Sequence, residues 1–81
     1  MVTIYSTPNC IRCVMTCKTF DWAGFTYDVL DLTDPDNAAA REWITGHLGY
    51  TQAPVVVIND HDHWSGFRPD QIRRITRAKG A

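Results

Sequence analysis

Two cysteines separated by two residues, Cys10 and Cys13, mark the junction between a predicted strand and a predicted helix. An alternating apolar segment at residues 2–5 precedes them, and a helix is predicted over 11–23. Cys10 is therefore placed at a helix N-terminus, where unpaired backbone N–H groups stabilise a thiolate and lower its pKa. Arg12 adds a positive charge nearby, and Cys13 is predicted to lie one turn deeper and less exposed. The pattern favours a dithiol–disulfide couple in which Cys10 attacks and Cys13 resolves.

The cysteines could also have a structural or a metal-binding role. A structural disulfide closing so small a loop would constrain little of the unfolded chain. A zinc site usually takes four ligands, often from two CxxC pairs. This chain has one such pair, a third cysteine at Cys17, and the alternating His61 and His63. The two histidines fall in a predicted hairpin and are expected to face solvent rather than to act as ligands. A redox pair is the preferred interpretation, while a zinc or iron–sulfur site and inert thiols stay open.

Length and charge limit the remaining possibilities. The 81 residues predict a single domain spanning 1–81. A formal net charge of -1 provides no field for nucleic acid, and the apolar run at 53–58 is too short to cross a bilayer. Neither nucleic acid nor membrane is therefore expected as a partner. Because the N-terminal residues lack a basic, apolar leader, a reducing cytoplasmic location is expected.

The pattern along the chain predicts alternating strands and helices. Thr16, Phe20 and Ala23 occur at helical spacing in the first helix, and Gly24 is a natural end for it. The following elements are a strand at 25–30, a helix from 35 to 47, a buried strand at 53–58, an antiparallel strand starting at 63 and a helix starting near 69. The predicted architecture is α/β, in the order β-α-β-α-β-β-α, with a four-stranded mixed sheet and three helices. That arrangement around one CxxC matches the minimal thioredoxin-like fold.

Three segments resemble the NrdH redoxins, which are glutaredoxin-sized proteins that behave like thioredoxins. The segments are Pro8-Asn9-Cys10-x-x-Cys13, Gln52-Ala53-Pro54-Val55-Val56-Val57 and His63-Trp64-Ser65-Gly66-Phe67-Arg68-Pro69-Asp70. The resemblance covers essentially the whole chain. It implies a dithiol electron donor to the large subunit of class Ib ribonucleotide reductase. It also implies re-reduction by thioredoxin reductase with NADPH, rather than by glutathione, and no cofactor bound by the chain itself.

The resemblance also implies a binding surface. It predicts a cis bond before Pro54, opposite the CxxC, and a backbone at Ala53 that is free to pair with an incoming peptide. Trp64 and Phe67 have two interpretations. Either they contact the partner protein, or they belong to the core and pack the last helix against the sheet. The residues expected to bind substrate or partner are Arg12, Gln52, Ala53, Pro54, Trp64, Ser65, Gly66, Phe67 and Arg68.

Three features of the sequence depart from the family pattern. Ile11-Arg12 stands where the family often has Val-Gln, and Thr7 occupies a position often held by lysine, so the cation near Cys10 is expected to come from Arg12. Cys17 stands where a non-cysteine is usual. It is interpreted either as a small semi-buried side chain or as a third redox-active or metal-assisting thiol. A glutathione-dependent glutaredoxin and a zinc or iron–sulfur module remain the alternative functions.

Overall fold

The computed structural model describes the backbone of residues 2–80 and the side chains of residues 2–77. The strands are β1 (Val2–Ser6), β2 (Tyr27–Asp31), β3 (Val55–Asn59) and β4 (Asp62–Ser65). The helices are α1 (Ile11–Trp22), α2 (Ala38–Glu42, between a 3-10 turn at Pro35–Asn37 and a π turn at Trp43–His47) and α3 (Pro69–Gly80). The predicted order of elements is confirmed.

The four strands form one mixed sheet in the order β2-β1-β3-β4. Strands β1 and β2 run parallel, with Val2 opposite Tyr27, and α1 forms the crossover between them. Strand β3 is antiparallel to both of its neighbours. As predicted for an inner strand, it starts with two buried residues, Val55 and Val56. The fold is thioredoxin-like, and it places the loop before α1 beside the loop before β3.

The end of α1 explains why β2 starts later than predicted. Gly24 adopts a left-handed φ of 74°, which glycine tolerates best. Its N–H donates to the Asp21 carbonyl at 3.0 Å, and the N–H of Phe25 donates to the Phe20 carbonyl at 3.0 Å. Because this closure uses residue 25, the strand begins at Tyr27 rather than at 25. Gly24 is confirmed as the end of the helix, whereas Ala23, predicted on its inner face, is exposed.

The predicted continuous helix over 35–47 is divided into three kinds of turn. Its start is as expected, since the Asp34 side chain accepts the N–H of Asp36 at 3.0 Å and Pro35 occupies the first turn. Its end is a wide π turn, in which the N–H of Leu48 donates to the Trp43 carbonyl at 3.0 Å. Ile44 in that turn is buried.

None of the helices among the described residues is both long and apolar enough to cross a membrane.

The main core contains Val2, Ile4, Phe20, Val56, Trp64 and Ile72. Trp64 is 4% exposed, so its side chain occupies the core, as one of its two interpretations held, and is not available as a partner contact. Thr16 is fully buried, and its hydroxyl donates to the Arg12 carbonyl at 2.8 Å, so a polar side chain is accommodated on the inner face of α1.

Candidate active site

Cys10 caps the N-terminus of α1, as the sequence predicts. It has an extended backbone, and its sulfur accepts the N–H of Cys13 at 3.2 Å. Asn9, just before it, has a positive φ of 57°, a conformation that asparagine tolerates better than most residues. That turn directs the chain into the helix so that the Cys10 sulfur meets the unpaired end of the backbone. A thiolate at this position receives a hydrogen bond where the helix dipole is positive.

The environments of the two cysteines separate their acidities. Partial burial raises the pKa of Cys10, but hydrogen bonds to its sulfur outweigh this effect, so the pKa is lowered. These bonds come from the side chain and N–H of Cys13, the Thr7 side chain and the Arg12 N–H. Burial, the hydrogen bond with Cys10 and neighbouring negative charge raise the pKa of Cys13 to about 11. Cys13 is 4% exposed. Cys10 is therefore the more readily ionised thiol of the pair, and Cys13 is the one that keeps its proton near neutral pH.

Thr7 contributes more to the site than the sequence indicated. Through hydrogen bonding, its side chain lowers the pKa of Cys10, and its backbone N–H counters part of the rise in the pKa of Cys13. Arg12, whose guanidinium was expected to take the place of the lysine charge, lowers the pKa of Cys10 through its backbone N–H. The only sign of this role in the sequence is that Thr7 carries a hydroxyl three residues before Cys10. Its effect on the Cys10 sulfur depends on the turn between the two residues.

A cleft of about 400 Å³ lies beside Cys10. Arg12, Gln52 and Ala53, three of the predicted binding residues, line it together with Cys10. The Ala53–Pro54 bond is cis, which confirms that prediction, and the Pro54 ring itself is buried. Within residues 2–80, the backbone of Ala53 takes part in no hydrogen bond. Its N–H and C=O are therefore available to an extended peptide entering the cleft.

The segment Ser65 to Arg68 lies on the far side of the cis bond. Ser65 pairs with Val55 across the β3–β4 hairpin, and the N–H of Gly66 donates to the Pro54 carbonyl at 2.7 Å. Phe67 is half-buried and packs against the core. Arg68 is exposed and forms an ion pair with Asp70 at 2.9 Å. The backbone of this segment holds the turn at Pro54 in place.

Cys17 lies in a groove formed with β2, one helical turn beyond Cys13. It is half-buried beside Tyr27, whose hydroxyl donates to Asp21 at 2.8 Å. Burial raises the pKa of Cys17, so this thiol is a weaker nucleophile than Cys10 at neutral pH.

The structure also locates the residues considered as metal ligands. Among the described side chains, no three His, Cys, Asp or Glu residues converge in a way that would hold a metal ion. His61 is exposed as expected. His63, also expected to face solvent, is instead half-buried, with its Nδ1 hydrogen-bonded to the Tyr50 hydroxyl at 2.8 Å.

Comparison with known proteins relates this geometry to proteins of the same size. The glutaredoxin family profile matches residues 2–64. The glutaredoxin-like protein NrdH of Escherichia coli K12 is 35% identical over 80 residues, covering 99% of this chain and 94% of that protein. The Gene 56 protein of Mycobacterium phage D29 is 35% identical over 71 residues, covering 88% of this chain and 77% of that protein. The structure of the Escherichia coli NrdH-redoxin superposes with a TM-score of 0.75 at 34% identity, covering 91% of this chain and 92% of that one.

Proposed function

This chain belongs to the glutaredoxin family, as a thiol–disulfide oxidoreductase of the NrdH type, and we propose that it supplies electrons to a class Ib ribonucleotide reductase. In this proposal the large subunit of that enzyme carries the substrate disulfide. Thioredoxin reductase restores the dithiol with electrons from NADPH, and the chain binds no cofactor of its own. The observation that carries the proposal is the geometry of the pair: the Cys10 sulfur caps α1 and accepts the Cys13 N–H at 3.2 Å, while Cys13 itself is buried.

The reaction follows from that geometry. The Cys10 thiolate attacks one sulfur of the substrate disulfide, and the other substrate sulfur leaves as a thiolate. Cys13 then attacks the Cys10 sulfur in the mixed disulfide, and its proton passes to a departing substrate sulfur. Two electrons move from the protein to the substrate, which leaves as one thiol and one thiolate, and a Cys10–Cys13 disulfide forms. The departing thiolate takes its proton from water. Burial of Cys13 keeps it protonated until the mixed disulfide has formed beside it.

The cleft beside Cys10 supports a protein substrate. The free backbone groups of Ala53 suit an extended chain, and Arg12 and Gln52 border the same opening. We assign the contacts at this rim to the substrate disulfide and its neighbours. Phe67 and Arg68 are proposed to contact thioredoxin reductase, so Phe67→Ala is expected to raise KM for that enzyme. Thermal melts must show a folded variant, and an unchanged KM in a folded variant would remove Phe67 from the interface.

The source of electrons separates this function from a glutathione-dependent one. The Escherichia coli NrdH-redoxin, described as glutaredoxin-like with a thioredoxin-like activity profile, supports thioredoxin reductase as the donor. Because NADPH and ribonucleotide reduction belong to the cytoplasm, we propose that location as well.

An NADPH-coupled disulfide reduction assay tests the proposal. It is run once with thioredoxin reductase and once with glutathione plus glutathione reductase, and Cys10→Ser serves as the inactive control. We expect turnover with thioredoxin reductase and a far slower rate with glutathione and glutathione reductase. The reverse order of rates would instead identify a glutathione-dependent glutaredoxin. A second assay replaces the model disulfide with a class Ib ribonucleotide reductase and measures deoxyribonucleotide formation, which is expected to depend on Cys10 and Cys13.

A further inference from the structure

The solvent-facing side of α1 carries an apolar surface that the fold does not use. Ile11, Val14, Met15 and Trp22 are between 43% and 82% exposed, and with Lys18 they follow one face of the helix at three- and four-residue spacing. We call these five residues the α1 stripe. The inner face of the same helix is already provided by Cys13, Thr16 and Phe20, which are buried. Packing of the domain therefore leaves the α1 stripe unexplained.

The concentration of exposed apolar side chains here is specific. Within the described part of the chain, the only other large apolar side chain of comparable exposure is Val29, on the edge strand β2. Val29 faces α1 across a groove of about 770 Å³ that Ile11, Val14 and Lys18 also line. The groove includes Cys10 and Cys13. Clustered exposed apolar side chains mark protein-interaction sites more often than isolated ones do.

We propose that the α1 stripe binds the apolar, acidic chain segment that flanks the disulfide of the substrate protein. This inference rests on the proposed function, because it assigns a further contact to the same substrate. It adds a surface that extends away from the cleft at Gln52 and Ala53, along the helix that begins at Cys10.

Continuity with the reacting sulfur argues for this occupant. In the mixed disulfide the substrate cysteine is bonded to the Cys10 sulfur, so its sequence neighbours must lie on the surface around Cys10. The α1 stripe begins at Ile11, the next residue, and extends for about 16 Å to Trp22 at the helical rise per residue. An extended chain covers that distance in about five residues. The segment that reaches the stripe therefore lies within a few residues of the substrate cysteine.

Charge argues for an acidic segment and against a second copy of this chain. Lys18 lies near the middle of the α1 stripe, and in the part of the chain that the structure describes it forms no ion pair. A carboxylate among the apolar residues of the substrate would meet it. Pairing of two copies through the stripe about a two-fold axis would instead place Lys18 close to its own equivalent. It would also crowd Cys10, which must stay accessible for attack.

Two synthetic peptides test the proposal without any reductase. Each has a central cysteine joined as a mixed disulfide to thionitrobenzoate, with Leu, Phe and Glu on both flanks, and the second peptide has Ser in place of every Leu and Phe. Attack by the Cys10 thiolate releases thionitrobenzoate, which is followed by its absorbance. Both peptides carry the same charge, so the ratio of their second-order rate constants for thionitrobenzoate release isolates the apolar contacts.

The wild-type chain is expected to react with the Leu and Phe peptide about fivefold faster or more. A difference of this size is typical for the loss of one well-placed apolar contact. Met15→Glu and Trp22→Glu are each expected to bring the ratio toward one. The matched control is Ala39→Glu, which adds the same charge at an exposed position on α2. It should keep the wild-type ratio. A third peptide with Gln for Glu should react more slowly than the acidic one, and Lys18→Gln should abolish that difference.

Several results would overturn the inference. A wild-type ratio near one would do so, as would a ratio that Met15→Glu and Trp22→Glu leave unchanged. A wild-type dimer that Trp22→Glu converts to a monomer in sedimentation would assign the stripe to a second copy. None of these results depends on thioredoxin reductase. Failure of the coupled assay with that enzyme would overturn the proposed electron source while the peptide preference could still be observed.

Discussion

Thr7 should set the pH at which Cys10 becomes reactive, and Thr7→Val tests this directly. Valine keeps the shape of threonine but removes the hydroxyl that hydrogen-bonds to Cys10. The backbone N–H of residue 7, which donates to Cys13, is retained. Thr7→Ser is the matched control, because it keeps a hydroxyl at the same position.

The size of the effect follows from one hydrogen bond to a charged sulfur. Such a bond contributes about 1.5 kcal/mol, the low end of the range for charged groups, because Cys10 is partly exposed. Its loss reduces the thiolate population about tenfold at a pH below the pKa of Cys10. A more basic thiolate is also a better nucleophile, with a Brønsted coefficient of about 0.4–0.5. The rate constant of the Thr7→Val thiolate is therefore about threefold higher. The net rate should fall about threefold at low pH.

The same reasoning reverses the sign at high pH. Once Cys10 is fully ionised in both proteins, only the gain in nucleophilicity remains, and Thr7→Val should react about threefold faster than the wild type. The two pH–rate profiles should therefore cross.

Attack of Cys10 on the small disulfide 5,5′-dithiobis(2-nitrobenzoate), followed by the absorbance of the released thionitrobenzoate at each pH, measures these profiles. Cys13, with a pKa of about 11, remains protonated over most of the range. If the Val and Ser variants give profiles that superimpose on the wild type, the hydroxyl contributes nothing to the thiolate. A Thr7→Val profile that is faster at every pH would contradict the direction of the effect.

Four further substitutions have definite expected outcomes. Cys13→Ser should accumulate a covalent mixed disulfide with substrate and Cys10→Ser should not, as judged by mass spectrometry; an adduct only on Cys10→Ser would reverse their roles. Cys17→Ala should keep turnover within about tenfold of wild type, or about 1.4 kcal/mol of barrier, because Cys10 and Cys13 complete the exchange; a larger loss in the disulfide reduction assay would make Cys17 part of the mechanism. Gly24→Ala should lower the free energy of unfolding in urea by about 1 kcal/mol, because φ is 74° while an added Cβ meets no atom within 4 Å. An unchanged urea midpoint would show that the left-handed turn imposes no cost.

Local patterns in the sequence were enough to predict the elements and the reactive pair. The strand, turn and helix around Cys10 depend on neighbouring residues, and so does the capping by Asp34. The buried run that contains Val55 and Val56 was equally clear. The cis bond before Pro54 was predicted from family resemblance, because no local pattern distinguishes it from a trans bond.

Properties that depend on tertiary contacts were harder to predict. Trp64 lies next to the predicted binding loop in sequence, but the β3–β4 hairpin turns its side chain into the core. Ala23 continues the spacing of Thr16 and Phe20, yet α1 ends before the sheet can cover it. His63 finds a partner in Tyr50, thirteen residues away, which no short pattern reveals. In each case the chain beyond the local segment determines what the side chain meets.

The two-residue spacing between the cysteines accounts for both halves of the chemistry. Three positions along a helix turn a side chain through about 300°, so the residue at N3 returns close to the N-cap and its N–H reaches the N-cap side chain. Cys13 therefore stabilises the Cys10 thiolate through its N–H at 3.2 Å and also keeps its own sulfur beside that thiolate. One more residue would rotate the second sulfur by about 100° to the position of Val14, which is 47% exposed, whereas Cys13 is 4% exposed. A resolving thiol there would lose the burial that keeps it protonated, and it would lie on the face that we assign to the substrate segment.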